Sequence, residues 1–207
     1  DIYWVHLWDR HTPLEETMRA LDDVVRAGKV LYVGVSDAPA WVVARANTVA
    51  EWRGWTPFVG LQVPYSLVKR DIERELLPMA EQLGISVAAW SPLAGGVLSG
   101  AKEASTDRDT AAVVKLRKVA DELGATPAQV ALAWIRSRSR AVLPLMGISS
   151  VEQLAENLGA LELVLPDEAV RQLDDSVEFE AGFPGDFIAE CEPHPFAFGD
   201  CAMKVDG

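Results

Sequence analysis

Polar or small residues follow each of five apolar, β-prone runs in this sequence of 207 residues. They are His6 with Asp9, Ser36 with Asp37, Gln62 with Tyr65, residues 91–96, and residues 147–150. Imidazole, hydroxyl and amide groups exchange hydrogen bonds, and glycines let backbone N–H groups approach an anion closely. If the five runs are parallel strands of one sheet, their carboxyl ends present this chemistry at a single edge. The pattern therefore predicts a ligand site across the strand ends.

The stretch over residues 84–96 is the most informative of the five. An apolar strand ends at Trp90 and is followed at once by a loop of small residues that contains Gly95 and Gly96. A flat aromatic face beside a glycine loop suits a ligand with a planar ring and a phosphate. The alternative is equally compatible with these residues: Trp90 is a core residue and the glycines only form a turn.

Alternating strands and helices are expected to position these residues. Strands are predicted over residues 1–8, 30–35, 58–63, 85–90 and 141–146, and helices over residues 12–28, 38–53, 71–83, 111–123, 127–137, 150–161 and 167–177. Capping boxes are predicted at Thr12 with Glu15 and at Thr126 with Gln129. This order indicates a single α/β domain built as a (β/α) barrel, with its site at the carboxyl ends of the strands. Residues 178–207 are predicted to form an irregular tail.

Composition and charge narrow the classes of partner. Nearly half of the residues are hydrophobic, and the net charge is −12, which argues against nucleic acid or an anionic membrane surface. No apolar run is long enough to span a bilayer. Both cysteines, Cys191 and Cys201, lie in the tail and imply no disulfide framework, so a reduced, cytoplasmic protein is expected.

Six runs of this sequence resemble the aldo-keto reductase family over essentially the whole chain. They are YWVH with Asp9, GVSD from Gly34, LQVPYS from Leu61, AWSPL from Ala89, TPAQVALAW from Thr126, and QLAENL from Gln153. The resemblance implies an eight-stranded TIM barrel that binds NADPH across the carboxyl ends of its strands and reduces aldehydes or ketones. It begins at the family's fourth strand, so a partial barrel of about five parallel strands with outer helices is expected.

The resemblance also assigns roles to individual residues. His6 is expected to be a catalytic hydrogen-bond donor to a small-molecule carbonyl substrate; without the resemblance, the alternative is a core histidine with its hydrogen bonds satisfied. Ser36, Asp37 and Gln62 are expected to hold the nicotinamide carboxamide, with Trp90 stacked on its ring. Most relatives carry Asn where this chain has Asp37, and the alternative role for Asp37, equally compatible with the sequence, is a helix N-cap.

The rest of the cofactor is expected to lie along two further segments. Ser91, Leu93, Gly95 and Gly96 match the pyrophosphate loop. The segment that holds the adenosine matches Ser149, Ser150, Gln153, Glu156 and Asn157. Relatives usually carry Arg at the position of Ser149, so the residues themselves favour neither NADP(H) nor NAD(H); the family favours NADP(H). No metal site is expected.

The resemblance leaves the chain incomplete for catalysis by itself. The family's Asp, Tyr and Lys catalytic residues belong to its first three strands, and no substitute for that set is recognised here. Two alternatives to a reductase therefore stay open: a dinucleotide-binding module without turnover, and an interaction protein. In the second, open sheet edges at residues 2–8 and 142–146 would pair with another chain or with a second copy.

Overall fold

A computed structural model describes residues 1–192 and Gly199. The compact unit Asp1–Val177 contains one five-stranded sheet, and Glu178–Gly207 forms a second unit. The strands are β1 (Ile2–Val5), β2 (Tyr32–Ser36), β3 (Phe58–Pro64), β4 (Ser86–Trp90) and β5 (Val142–Pro144). Neighbouring strands pair in chain order and are all parallel, which confirms the predicted sheet.

Helices connect the strands. The α-helices of the described residues are α1 (Leu14–Arg26), α2 (Ala40–Arg53), α3 (Leu76–Gln82), α4 (Asp107–Leu123), α5 (Pro127–Arg138), α6 (Val151–Leu158), α7 (Asp167–Asp174) and, in the second unit, α8 (Gly185–Cys191). Short 3₁₀ turns cover Asp71–Glu73, Ala94–Gly96 and Gly159–Leu161. None of the helices in this part of the chain has the length and apolar character needed to cross a bilayer.

One face of the sheet is buried under the helices. Its side chains include Val35, Leu61, Val87 and Val142, which are at most 3 % exposed and lie in one row across β2 to β5. They pack in a single core with helix residues such as Met18 and Leu116. This face accounts for every second apolar residue of these strands.

The opposite face of the sheet is only partly covered. Ile2, Tyr32 and Leu143 point to this side and remain 43–58 % exposed. The indole of Trp4 lies against the backbone of Gly34 and Gly60, where an added Cβ atom would come within 2.5 and 2.7 Å of the ring. These two glycines are needed for that close approach. Trp4 is in register with Gly34, two residues before the carboxyl end of β2.

Two predicted helix starts are wrong for local physical reasons. No capping box forms at Thr12 with Glu15, because α1 begins at Leu14 with Pro13 as N-cap and Asp9 accepts hydrogen bonds from the backbone N–H of Thr12 and His11 instead. The predicted helix over residues 71–83 is broken into the 3₁₀ turn and α3. Restarting the helix at Leu76 places Pro78 in a first turn, where its missing N–H costs no hydrogen bond.

Other helix and strand boundaries differ by a few residues from the predicted ones. The helix predicted from residue 111 begins at Asp107, capped by Thr106, whose hydroxyl accepts from the N–H of Asp109. β5 is limited to three residues, and the tail that was predicted to be irregular contains α8. The capping box at Thr126 with Gln129 is confirmed. Cys201 lies outside the described residues.

A buried ionic cluster connects the segment that follows β3 with two of the helices. Glu73 accepts hydrogen bonds from the Tyr65 hydroxyl at 2.7 Å and from Arg70 Nε and Nη2, each at 2.9 Å. Arg138 donates to Asp174 at 2.9 Å. The indole of Trp134 donates to Asp174 as well, and the guanidinium groups of Arg70 and Arg138 each lie 5.4 Å from its ring centroid.

The charges of this cluster compensate one another. Burial by itself works to raise the pKa of Glu73, but the hydrogen bonds from Arg70 and Tyr65 and the attraction of Arg70 and Arg138 outweigh it, so the pKa is lowered. Burial and the Glu73 carboxylate raise the pKa of Tyr65, which therefore stays a hydrogen-bond donor. The cluster joins the segment after β3 to α5 and α7.

We predict that Glu73→Gln lowers the free energy of unfolding by about 3–5 kcal/mol, since it removes the carboxylate that two largely buried cations face. Urea unfolding followed by circular dichroism measures the loss. Because folding lowers the pKa of Glu73, the difference between the proteins is full above about pH 4.3, the pKa of an unfolded glutamate, and shrinks as the pH falls through the folded value.

The matched control for this prediction is Glu168→Gln on α7. Glu168 pairs with Arg171 at 2.8 Å, but both side chains are about two-thirds exposed, so its unfolding midpoint should not change measurably. Equal midpoints for the two variants would contradict the assignment of the Glu73 cluster as a structural anchor.

Candidate functional site

The carboxyl ends of the strands form one rim because all five strands are parallel. Ser36 is the last residue of β2 and pairs in register with Gln62 of β3. Trp90 is the last residue of β4 and is in register with Pro64. Ser36, Gln62 and Trp90 all lie on the sheet face opposite the helices, which is only partly covered. His6 directly follows β1 on the same rim, and its side chain is exposed.

Hydrogen bonds connect four of the predicted site residues. The hydroxyl of Ser36, fully buried, lies 2.9 Å from both Asp37 Oδ2 and the backbone oxygen of Gln62. The indole Nε1–H of Trp90 donates to Asp37 Oδ1 at 3.3 Å, the long end of the normal range. The backbone N–H of Asp37 also donates to the Gln62 oxygen, at 3.1 Å. Residues 53 positions apart in sequence thus form one cluster on the rim.

Backbone strain marks the same rim. Among the described residues, the non-glycine positions with positive φ are Asp37 at 49°, Ser91 at 53° and Ala94 at 50°. Two directly follow the ends of β2 and β4, and the third lies in the loop after β4. Left-handed backbone at such residues costs free energy and concentrates at functional sites. The sequence carried no signal for this strain, because none of the three is a glycine.

A cavity of about 390 Å³ opens beside this rim. It is lined by the predicted loop residues Ser91, Leu93, Gly95 and Gly96, by residues 145–147 after β5, and by Gln153 of α6. The backbone of Gly95 is open, since an added Cβ atom would meet nothing within 4 Å. The cavity therefore joins two segments that the sequence placed in one ligand site.

A cation that the sequence analysis did not single out lies beside the same loop. Lys102 donates its backbone N–H to the oxygen of Gly96 at 3.1 Å, and its side-chain carbons run within 3.7–4.0 Å of the point where a Gly96 Cβ would lie. No ion pair of Lys102 occurs among the residues that the structure describes. No spacing rule links a lysine six residues after Gly96 to that glycine, so only the folded loop reveals this contact.

The segment that begins α6 is organised around its N-cap. The hydroxyl of Ser150 accepts from the N–H of Gln153 at 3.2 Å, which confirms it as the N-cap. The side-chain oxygen of Gln153 in turn accepts from the N–H of Ser149 at 2.8 Å and lies 3.2 Å from its hydroxyl. The side chain of Gln153 thus both lines the cavity and holds the turn.

The two remaining residues of this segment differ in environment. Glu156 is exposed, and its backbone oxygen accepts from the side chain of Gln129 at 2.8 Å. Asn157 is 3 % exposed, and its side-chain Nδ2 finds no hydrogen-bond partner within the described residues. An orphaned buried donor is uncommon and costs free energy unless a ligand or water accepts from it.

His6 lies outside the hydrogen-bonded cluster of Ser36, Asp37 and Trp90 and outside the cavity. Its side chain makes no hydrogen bond within the described part of the chain, and it does not line the cavity beside β4. A larger cavity, of about 520 Å³, lies between α1 and the β1 edge and is mainly apolar, with Tyr3, Leu21 and Val24 in its wall. It contains none of the rim residues, so we assign the candidate site to the smaller cavity.

Comparison with known proteins places the chain in one family. The profile of the Aldo/keto reductase family matches residues 1–178. Norsolorinic acid reductase stcV of Emericella nidulans is 38 % identical over 200 residues, which covers 92 % of this chain and 52 % of that protein. Aryl-alcohol dehydrogenase [NADP(+)] of Phanerodontia chrysosporium is 38 % identical over 207 residues, covering 89 % of this chain and 53 % of that protein.

A solved structure shows the same likeness. A thermostable aldo-keto reductase, solved with the inhibitor epalrestat, superposes with a TM-score of 0.74 at 31 % identity, covering 85 % of this chain and 59 % of that chain. The chain thus spans about half the length of the two curated relatives named above.

Proposed function

The chain belongs to the aldo-keto reductase family, and we propose that it provides the cofactor site and one catalytic group of an NAD(P)H-dependent oxidoreductase that interconverts carbonyl compounds and alcohols. The predicted fold class, part of a TIM barrel, is confirmed. The observation that carries the proposal is the rim itself: a hydrogen-bonded cluster of Ser36, Asp37 and Trp90 next to a cavity walled by residues 91–96 and Gln153.

The printed names of two relatives point to the same chemistry. One is called a norsolorinic acid reductase and the other an NADP(+) aryl-alcohol dehydrogenase. The first name states a reduction and the second the oxidation of an aryl alcohol, and these are the two directions of the reaction proposed here. We propose aromatic aldehydes and ketones or the matching alcohols as the substrate class.

The rim residues fit the nicotinamide end of such a cofactor. A carboxamide has one acceptor and two donors, and the Gln62 amide offers both kinds of group beside the Ser36 hydroxyl. The indole of Trp90, 37 % exposed, presents a planar face for stacking. When bound there, the reduced nicotinamide supplies the hydride.

The phosphates of the cofactor would lie along the loop after β4. The proposed contacts are Ser91, Leu93, Gly95 and Gly96. The backbone is open at Gly95, which gives an anion access there, whereas the N–H of Gly96 donates to the Leu93 oxygen at 3.0 Å. Lys102 lies beside Gly96 but is not among the residues that line the cavity, and we propose that its side chain reaches the phosphates when a cofactor is bound. It would serve the pyrophosphate, which NADP(H) and NAD(H) share.

The adenosine end would lie against the start of α6. The proposed residues are Ser149, Ser150, Gln153, Glu156 and Asn157. The orphaned Nδ2 of Asn157 supports a ligand here, because a buried donor without a partner is costly unless an acceptor is bound to it. The position before Ser150 is a serine rather than a cation, so the 2′-phosphate of NADP(H) lacks a bidentate partner.

His6 is proposed to donate a hydrogen bond to the substrate carbonyl. It directly follows β1 and is exposed at the rim, where a substrate above the nicotinamide would meet it. A donor at that position stabilises the negative charge that develops on the oxygen during hydride transfer.

The activity test is NADPH consumption by the complete gene product with an aromatic aldehyde such as 4-nitrobenzaldehyde. We expect His6→Ala to lower kcat by about 10²-fold or more, the usual contribution of such a group. His11→Ala is the matched control, since His11 lies in the turn beyond Asp9 and should leave kcat unchanged. Equal rates in the two variants would exclude His6 from the reaction.

Cofactor binding should depend on Trp90 and discriminate poorly between the two dinucleotides. We expect Trp90→Ala to weaken NADPH and NADH alike, by roughly tenfold or more, since aromatic stacking is worth about 1–3 kcal/mol. Calorimetric titration measures both, and Trp52→Ala, an 89 % exposed tryptophan on α2, is the control. A preference of the unaltered chain for NADPH above about tenfold would reveal a 2′-phosphate partner outside the proposed set.

We also propose that the chain as given associates through its sheet. β1 and β5 are the edge strands, and the partly uncovered face carries Ile2, Tyr32 and Leu143. Unpaired edges and exposed apolar faces favour pairing with other chains. We expect light scattering to show species larger than a monomer.

Two variants test that association. Leu143→Lys places a charge on the β5 edge and should shift the chain toward monomer, whereas Trp52→Lys changes an equally apolar but distant surface and should not. A monomer in the unaltered chain would contradict the proposal, and equal behaviour of the two variants would exclude the β5 edge.

A further inference from the structure

We propose that Asp37 is a positioning residue that clamps the indole of Trp90 in place, and that it acts on the cofactor through this ring rather than by gripping the carboxamide. The inference rests on the proposed function, because it takes Trp90 as the surface on which the nicotinamide stacks. It assigns to this aspartate a role different from the carboxamide contact that the family resemblance implied.

The first support is that the side chains of Asp37 and Trp90 meet across an intervening strand. Asp37 directly follows β2, and Trp90 ends β4, so β3 lies between them. Two strand spacings amount to roughly 10 Å. The two side chains nevertheless meet above the end of β3, with Asp37 Oδ1 at 3.3 Å from Trp90 Nε1. The contact therefore bridges the carboxyl ends of three strands.

The second support is the use of both carboxylate oxygens. Oδ1 accepts from the Trp90 indole, and Oδ2 lies 2.9 Å from the Ser36 hydroxyl. The Ser36 hydroxyl has a second acceptor within reach, the Gln62 backbone oxygen at 2.9 Å. The indole N–H of Trp90 has Asp37 Oδ1 as its acceptor. A charged carboxylate accepts about twice as strongly as a neutral amide, so aspartate holds the indole more firmly than asparagine would.

The third support is the backbone at Asp37. Its φ of 49° is left-handed, and its N–H donates to the Gln62 oxygen at 3.1 Å. Aspartate tolerates this conformation better than most residues, and the hydrogen bond holds it there. The fixed backbone sets the direction in which the carboxylate leaves the strand.

These contacts give Asp37 and Gln62 different proposed roles at the nicotinamide end. With its two oxygens engaged by Ser36 and Trp90, Asp37 is committed to the protein, and the side chain of Gln62 is left to meet the carboxamide. The indole of Trp90 is 37 % exposed, so without the clamp its ring would be free to take other rotamers. Binding would then have to restrict the ring, which weakens affinity.

A readout without ligand tests the clamp directly. In protein labelled with ¹⁵N-tryptophan, the Trp90 indole resonance is assigned by its loss in Trp90→Phe. We expect Asp37→Asn to lower the heteronuclear NOE of this resonance and to speed its exchange with water by about tenfold. Asp23→Asn, an exposed aspartate on α1, is the matched control and should change neither. An unchanged Trp90 resonance in Asp37→Asn would overturn the proposal.

A fragment comparison tests the consequence for binding. We expect Asp37→Asn to weaken NADPH by about three- to tenfold, the scale of one hydrogen bond, and to leave 2′-phospho-ADP-ribose unchanged, because that fragment lacks the nicotinamide. In the Trp90→Ala background the same substitution should cost nothing further, since the two residues act as a unit. A full additional loss there would mean a direct contact of Asp37 with the cofactor and would overturn the clamp.

The two proposals fail in different ways. If the unaltered protein binds neither NADPH nor the fragment, the proposed function is wrong, while an indole response to Asp37→Asn would still establish the clamp. If NADPH binds normally and the indole is unaffected by Asp37→Asn, the function stands and the clamp is wrong. Equal weakening of NADPH and the fragment would indicate a general structural defect and would also overturn the clamp.

Discussion

The parallel pairing of five strands in chain order is the constraint on which the rest of this molecule depends. It brings Ser36, Gln62 and Trp90, which are far apart in sequence, to one edge of a sheet. The helices that make the parallel connections cover one face, and the rim of the candidate site lies on the other face. The apolar row from Val35 to Val142 holds this arrangement together, so the site inherits its geometry from the core.

The rim combines rigid support with local strain. Asp37, Ser91 and Ala94 take left-handed backbone conformations that other positions of the described chain reserve for glycine. Such conformations persist only where neighbouring contacts hold them. At Asp37 those contacts are the hydrogen bonds to Gln62, Ser36 and Trp90, so the same interactions that maintain the strain also orient the side chains of the site.

The ionic cluster under the helices reaches the site through Tyr65. Its hydroxyl donates to Glu73 inside the cluster, and its backbone N–H donates to the oxygen of Trp90 at 3.2 Å. One residue therefore links the anchored segment after β3 to the end of β4. A buried ion pair of this kind adds little net stability compared with apolar packing, but it is costly to break, and it fixes where its elements lie.

The sequence by itself determined the class of fold, the strands and most of the proposed site, because apolar runs, capping residues and short motifs are local signals. Thr126 and Ser150 cap helices as their spacing predicts, and the loop after Trp90 lines a cavity as its glycines suggest. Tertiary structure alone decided the features that depend on contacts across the sheet. The approach of Lys102 to Gly96 and the hydrogen bond from Trp90 to Asp37 follow from which segments become neighbours after folding, and no local pattern encodes that.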